Sequence, residues 1–389
     1  MAHNGERFSA SVAGDRTATS QHFSSLTGLF MVSSLLAVLL LPAVFGRSRD
    51  PLRQSAPETT KRLKGSGNAQ DVYELELGKS IKRELAGGQQ HTYELKLGAD
   101  QFAQAIVEQE GIDVTVQVLG PDGKQMLEFD SEARLQGVEE VPLVAEAAGD
   151  YQLIVQSKSK GAPPGGYEIR IEELRAATER DRTLQEARRL YEEAVKERGE
   201  GKLDEALTLT EHALGIRKKL LGPDHRDVAA TITYLGLLYS DEGEYAKAEP
   251  LYQQALNIFE RELGPEHPNV AMVLNNLAIL YRSRGEYTKA EPAIQRALAI
   301  REKALGPEHI LVAQSLNSLA ILYFSNSEYV KAEPLYQRAL AIWEKALGPE
   351  HPDVAKPLSN LAVLYGERGE YAKAEPFYRR ALAIREKAL

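Results

Sequence analysis

A block of 42 residues recurs along the C-terminal half of this chain, and no other feature narrows its fold as much. Leu-Gly-Pro-Asp-His begins at Leu221, and Leu-Gly-Pro-Glu-His begins at Leu263, Leu305 and Leu347, in equal steps of 42. Gly-Glu-Tyr recurs at Gly243, Gly285 and Gly369, with Ser327-Glu328-Tyr329 between, and Lys-Ala-Glu-Pro recurs at Lys247, Lys289, Lys331 and Lys373. Self-similarity at a fixed period signals a solenoid, in which each unit buries its apolar face only against its neighbours.

Each unit reads as two helices. In the unit 268–304 the first runs from Pro268 to about Arg284, with proline in the first turn, where its missing N–H leaves nothing unpaired. Leu274, Leu277, Ala278 and Tyr281 recur at three and four residues and make one apolar stripe. Gly285 suits the left-handed backbone that ends a helix. The second helix runs from about Tyr287 past Lys303, with Ala290, Ile294, Ala297 and Leu298 on its buried face. Five units are read, at 183–220, 226–262, 268–304, 310–346 and 352–389. In the first, Gly201-Lys202-Leu203-Asp204-Glu205-Ala206 replaces the Gly-Glu-Tyr-x-Lys-Ala pattern, as expected of a cap. No polar closing helix follows the last unit, so the chain is expected to be truncated or to continue as something else. Pro357 stands where Val273 and Ser315 stand in earlier units, which predicts a kink or a late helix start.

The spacing Leu274-x2-Leu277-Ala278-x2-Tyr281, then Ala290-x3-Ile294, is similar to the tetratricopeptide repeat, whose usual period is about 34 residues. The extra residues fall in the second helix and the Leu-Gly-Pro-Glu-His turn, and in this 263–304 resembles the kinesin-light-chain type. The resemblance implies a right-handed superhelix whose concave groove, lined by the first helices, binds peptides or protein segments. It implies groove columns at Ala230, Met272, Gln314 and Lys356, at Thr233, Asn275, Asn317 and Ser359, at Leu237, Ile279, Ile321 and Val363, and at Ser240, Arg282, Phe324 and Gly366. An asparagine amide both donates to and accepts from an extended backbone. The alternative for Asn275 and Asn317 is hydrogen bonding between helices. Asn276, Ser318 and Asn360, one residue on, are expected to face the neighbouring helix.

The histidines His225, His267, His309 and His351 occur once per unit, roughly 10 Å apart by helix packing. Zinc ligands lie about 2 Å from one ion. These histidines are therefore read as turn caps, and no metal or cofactor is expected. With no cysteine, the chain has no thiolate nucleophile. P-loop, GxSxG and HExxH patterns are missing as well. Proteins of similar architecture carry a caspase-like CHAT protease after the repeats. Two readings follow: a non-enzymatic scaffold for protein or peptide ligands, or the regulatory portion of a longer protease or signalling enzyme whose catalytic domain lies beyond residue 389. A net charge of −9 argues against nucleic acid as partner.

Residues 1–26 read as a disordered tail and 47–70 as a linker. Between them, Thr27 to Gly46 carries no charge and is long enough to span a bilayer. Transmembrane anchor and signal h-region both fit, with Val44 and Gly46 as small residues before a cut. The long polar stretch ahead and Arg47 and Arg49 just after favour the anchor. A buried soluble helix fits less well, since the segment is apolar all round. Arg47, Arg49, Arg53, Lys61, Arg62 and Lys64 outnumber Arg7 and Arg16, which keeps the C-terminal side cytoplasmic.

From 71 to 175 the period becomes two. Val72–Leu77, His91–Leu97, Asp113–Leu119, Tyr151–Ser157 and Tyr167–Leu174 alternate apolar and polar residues. Ala86-Gly87-Gly88, Gly120–Gly123, Gly149-Asp150 and Gly161–Gly166 read as turns between them. A β-sandwich is expected. Glu84–Gln89, His91-Thr92-Tyr93, Asp113-Val114, Gly120–Gly123 and Ala148–Tyr151 make this stretch similar to the bacterial pre-peptidase C-terminal domain. That resemblance implies a jelly-roll-like module on an anchored or exported protein of the bacterial cell envelope, against the charge bias above. It also implies an accessory role with partners or glycans. Asp113, Asp122, Asp130 and Asp150 could offer oxygens to calcium; turn-forming aspartates are the alternative. The expected fold class is thus an α + β multidomain chain: an N-terminal apolar helix, a small jelly-roll-like β-sandwich, then a right-handed α-solenoid of tetratricopeptide helix pairs.

Overall fold

The computed structural model describes residues 62–63, 72–130, 136–158 and 161–388. The expected tail, the apolar segment 27–46 and most of the linker lie outside them. Among the described residues no helix is long and apolar enough to cross a membrane.

Successive side chains of a strand point to opposite faces, so every second residue of the alternating runs can enter one core. The strands are β1 (Arg62–Leu63), β2 (Val72–Glu74), β3 (Ser80–Leu85), β4 (Gln90–Leu97), β5 (Gln101–Glu110), β6 (Val114–Leu119), β7 (Gln125–Phe129), β8 (Gln136–Val144), β9 (Gly149–Ser157) and β10 (Gly165–Ala176). One sheet has the order β1-β2-β4-β9-β6-β7 and the other β3-β10-β5-β8. β2 runs parallel to β4, and the other paired strands run antiparallel. Both sheets feed one core: Leu95, Val116 and Val155 from the first, Val107, Leu143 and Ile169 from the second.

Two local expectations fail for physical reasons. Gly149-Asp150 opens strand β9 instead of forming a turn. Glycine is needed there for close approach, since a Cβ on Gly149 would lie 2.7 Å from Pro121. The run Val72–Leu77 ends early: Gly78 turns the chain at φ +76, and Leu77 keeps a single bridge to Ile171 and stays 54% exposed.

The helices are α1 (Glu179–Gly199), α2 (Leu203–Leu221), α3 (Arg226–Asp241), α4 (Tyr245–Leu263), α5 (Pro268–Ser283), α6 (Tyr287–Leu305), α7 (Ile310–Ser325), α8 (Tyr329–Leu347), α9 (Ala355–Glu367) and α10 (Tyr371–Ala388). They form five pairs, and the first pair matches the degenerate unit. Before α9, Pro352–Val354 forms one 3-10 turn, so Pro357 falls in the first turn of a helix that starts late. Ser327 takes φ +60 where other units have glycine, so it holds the same left-handed turn with a side chain.

The repeated motifs have local work. The column histidines cap α3, α5, α7 and the 3-10 turn before α9: Nδ1 accepts from the N–H of Asp227, Asn269, Leu311 and Asp353. In Lys-Ala-Glu-Pro the alanines Ala248, Ala290 and Ala332 are fully buried at close helix contacts. The glutamates Glu249, Glu291 and Glu333 accept from the hydroxyls of Tyr281, Tyr323 and Tyr365 of the next unit at 3.1, 2.7 and 2.8 Å. The motif therefore ties consecutive units.

The sandwich packs on the solenoid. Gln185 of α1 bonds both backbone groups of Val144, at 2.7 and 3.0 Å. Arg188 lies 4.1 Å over the Phe129 ring. At the start of α3, Arg226 is 3.8 Å from Glu140; at the cap of α7, His309 Nε2 is 3.4 Å from Asp113. The Gly161 N–H donates to the Ala346 carbonyl at the end of α8. Asp113 and Asp130 do converge here, but Lys158 stands 2.7 Å from Asp130 and supplies the positive charge that calcium would bring. Asp122 accepts from the Lys124 N–H within its own turn, so the turn reading holds for it. Asp150 is exposed at the start of β9. Among the described residues no three histidine or carboxylate side chains group as metal ligands.

This junction sets a pH dependence. Burial raises the Glu192 carboxyl on α1 to about 7, and its Oε1 has no hydrogen-bond partner. A carboxyl raised in the folded state contributes stability below the unfolded value near 4.5, and that contribution is lost as pH rises through 7. Glu192→Gln is expected to change little at pH 4 and to stabilise the chain by about 2 kcal/mol at pH 8. Urea unfolding at both pH values tests this; equal effects at both would rule it out.

Candidate protein-binding surface

The four first helices α3, α5, α7 and α9 carry the expected groove columns, but they do not offer them equally. Thr233, Met272 and Asn275 are only 3%, 7% and 9% exposed. The Thr233 hydroxyl donates to the Ala229 carbonyl of its own helix at 2.8 Å, so its proton is already engaged. Gln314, Lys356, Ser359, Ile279, Ile321, Arg282 and Phe324 are half-buried, and Val363 is exposed. The β domain touches the starts of α3 and α7, on either side of α5. There His267 and Asn269 are 3% and 4% exposed. The accessible surface therefore moves to the later units and to the last turns of the first helices.

The asparagines divide. Asn317 Oδ1 accepts from Asn360 Nδ2 at 2.8 Å, a bond between first helices, so the interhelix alternative holds at Asn317. Asn275 Oδ1 is buried without a partner. Ser359 donates to the Ala355 carbonyl and accepts from Arg385, at 2.8 and 3.1 Å.

Arg282 differs from the rest of its column. It sits in the last turn of α5 and makes no hydrogen bond or ion pair with a described residue. Burial lowers its pKa, against the opposing pull of the hydroxyls of Tyr336, Tyr287 and Tyr245. Tyr245 and Tyr287 are the tyrosines of Gly-Glu-Tyr, so the motif that starts each second helix also rings a groove cation. Sequence reading missed them, because a residue repeated in every unit reads as structural. Next in the column, Phe324 lies 5.4 Å from the Tyr329 ring. The surface thus combines an unpaired guanidinium, tyrosine hydroxyls, the amide of Gln314 and the apolar Ile279, Ile321 and Val363.

The tetratricopeptide repeat family matches at residues 195–261, 227–303, 280–340 and 311–387. The repeat region of this chain is a tetratricopeptide-repeat array. Among solved structures, the chain is similar to BtubC (BKLC) from P. vanneervenii, at 27% identity over 54% of this chain and 92% of that one, with a TM-score of 0.44. It is similar to a Podosopora anserina putative kinesin light chain with nearly identical TPR-like repeats, at 28% identity over 52% and 95%, with a TM-score of 0.43. A Rap protein complexed with competence and sporulation factor aligns at 18% identity over 53% and 56%, with a TM-score of 0.47. No curated protein matches the sequence.

Proposed function

We propose that the solenoid is a non-enzymatic scaffold that holds a peptide or protein segment along the exposed side of its first helices. The observation that carries this reading is Arg282. A half-buried guanidinium without an acceptor loses hydration and regains nothing in the free protein. A ligand carboxylate or backbone carbonyl would supply the missing acceptor, and the surrounding tyrosines, common in binding surfaces, would pack on the ligand. Ile279, Ile321 and Val363 offer apolar contact one turn away, and Gln314 both donates and accepts. In the same reading the β domain is jelly-roll-like. β3 to β10 alternate between the two sheets except at the β6–β7 hairpin, in orders β3-β10-β5-β8 and β4-β9-β6-β7, which supports that assignment.

Selection of a random peptide display library on the full chain tests the scaffold. Selected peptides are expected to carry an acidic residue and to bind Arg282→Gln at least tenfold more weakly. Asn275→Ala is expected to weaken them less, because its amide is less accessible. Peptides that bind Arg282→Gln and Gln314→Ala as well as the natural chain would move the site elsewhere. A library that yields no binder would end the scaffold reading.

A further inference from the structure

The inner face of a sandwich strand is ordinarily apolar. β3 departs from this. Ile81, Arg83 and Leu85 share one face, and Ile81 and Leu85 are 6% and 0% exposed in the core, so Arg83 enters between the sheets. His91 does the same on β4, on the face of Tyr93 and Leu95. Register gathers these residues with two more tyrosines. Arg83 pairs across strands with Tyr167, and Tyr73 pairs with Tyr93. The Tyr167 hydroxyl lies 2.6 Å from His91 Nδ1 and 2.5 Å from the Tyr93 hydroxyl. The Arg83 guanidinium lies 4.5 Å from the centre of the Tyr73 ring. Five polar side chains from both sheets therefore share one end of the core. His91 also lines an open depression of about 530 Å³ with Gly88, Gln89 and Gln90.

The charges in this layer do not balance. Arg83 Nη1 is buried without a hydrogen-bond partner, and no carboxylate of the described residues pairs with the guanidinium. The other members stay neutral. Burial, then the Arg83 charge, pulls His91 down to about 4. Burial pushes Tyr93 up to about 12 and Tyr167 higher still. With His91 Nδ1 engaged by Tyr167, the imidazole can present an Nε2–H beside the depression. The layer is thus one half-buried cation, stacked on Tyr73, and several neutral donors without an anion.

We propose that this end of the β domain binds an oxyanion, a carboxylate or phosphate group of a small ligand, with Arg83 as its counter-charge. The planar guanidinium fork suits both groups. The site is independent of the solenoid surface and of any peptide held there.

The test is an NMR titration of the full chain with sodium phosphate and, separately, sodium glucuronate, at constant ionic strength. Saturable shifts of the His91 ring protons and of the Arg83 side-chain N–H are expected with at least one anion, at a dissociation constant of about 1 mM or tighter. Arg83→Gln is expected to lose at least tenfold in affinity with an unchanged circular dichroism spectrum. The Arg83 N–H shift in the natural chain keeps the test valid should that variant fail to fold. Saturation by one anion alone upholds the site and names its ligand. Shifts linear in concentration for both anions, or equal binding by folded Arg83→Gln, would overturn it.

Discussion

Replacing Arg301 by Phe and Ser315 by Val in one chain is expected to make the protein more stable, by about 1–4 kcal/mol. Arg301, at the end of α6, is 4% exposed and faces α7. Its Nη1 donates to the Leu311 carbonyl and to the Ser315 hydroxyl, both at 2.9 Å, while Nε is buried without a partner. Burial brings its pKa down to about 10, and no carboxylate offsets the cost. One unit earlier, Phe259 and Val273 fill the same two positions at full burial, so the apolar pair fits this packing. Ser315→Val alone is expected to cost about 2–3 kcal/mol, because it strips an acceptor from a buried guanidinium. The cycle of both single variants and the double, followed by urea unfolding, isolates the coupling. A double variant no more stable than the natural chain would show that the guanidinium is not a burden, and the account of this contact would fail.

The second large effect is expected at the junction of the β domain with the repeats. Lys158→Met should cost about 3–5 kcal/mol at neutral pH, since it leaves Asp130 and Asp113 buried without their cation. Asp130 and Lys158 are 11% and 16% exposed at the side chain, and the two carboxylates hold the ammonium above its ordinary pKa although burial opposes it. Without Lys158, the Asp130 carboxyl, already raised by burial, should take up a proton as pH falls, so the loss should shrink between pH 7 and pH 5. Adding Asp130→Leu should recover part of it. The surface pair of Lys124 with Asp122 is the control: Lys124 is 83% exposed, and Lys124→Met should cost under about 1 kcal/mol. Thermal unfolding of the three variants beside the natural chain decides the matter. Equal losses at positions 124 and 158 would mean that the buried cluster has no special weight.

Much of the solenoid could be read from the sequence, because each unit restates its neighbour. The first helix expected from Pro268 to about Arg284 runs from Pro268 to Ser283, and Gly285 closes it at φ +74. The β region was half legible. β5 escaped the alternation test because it is covered on both faces: Ala103, Ala105 and Val107 face the core, while Ile106 and Phe102 are buried on the other side, Phe102 beneath the Arg175 guanidinium. Apolar residues on both faces erase the period of two. The junction was not legible at all. Asp113, Asp130, Lys158 and His309 come from four distant segments, and nothing local marks them as partners. Groove accessibility failed for the same reason. The columns lie on the first helices, but the burial of Met272 and Asn275 comes from packing that their spacing does not record.

The contact between Arg301 and Ser315 also bears on how such a chain can change over generations. Arg217 and Thr231 form the same bond two units earlier, at 2.6 Å. Phe259 with Val273, and Trp343 with Pro357, hold these positions in the intervening units. Hydroxyl-matched arginine thus alternates with an apolar pair, and the chemical period is two units. Tandem repeats gain and lose members through misaligned recombination. Removal of one 42-residue unit from the middle would set an arginine against valine or proline, or an aromatic ring against a hydroxyl. Removal of two would restore every match. Viable descendants of this array should therefore differ in length by even numbers of units.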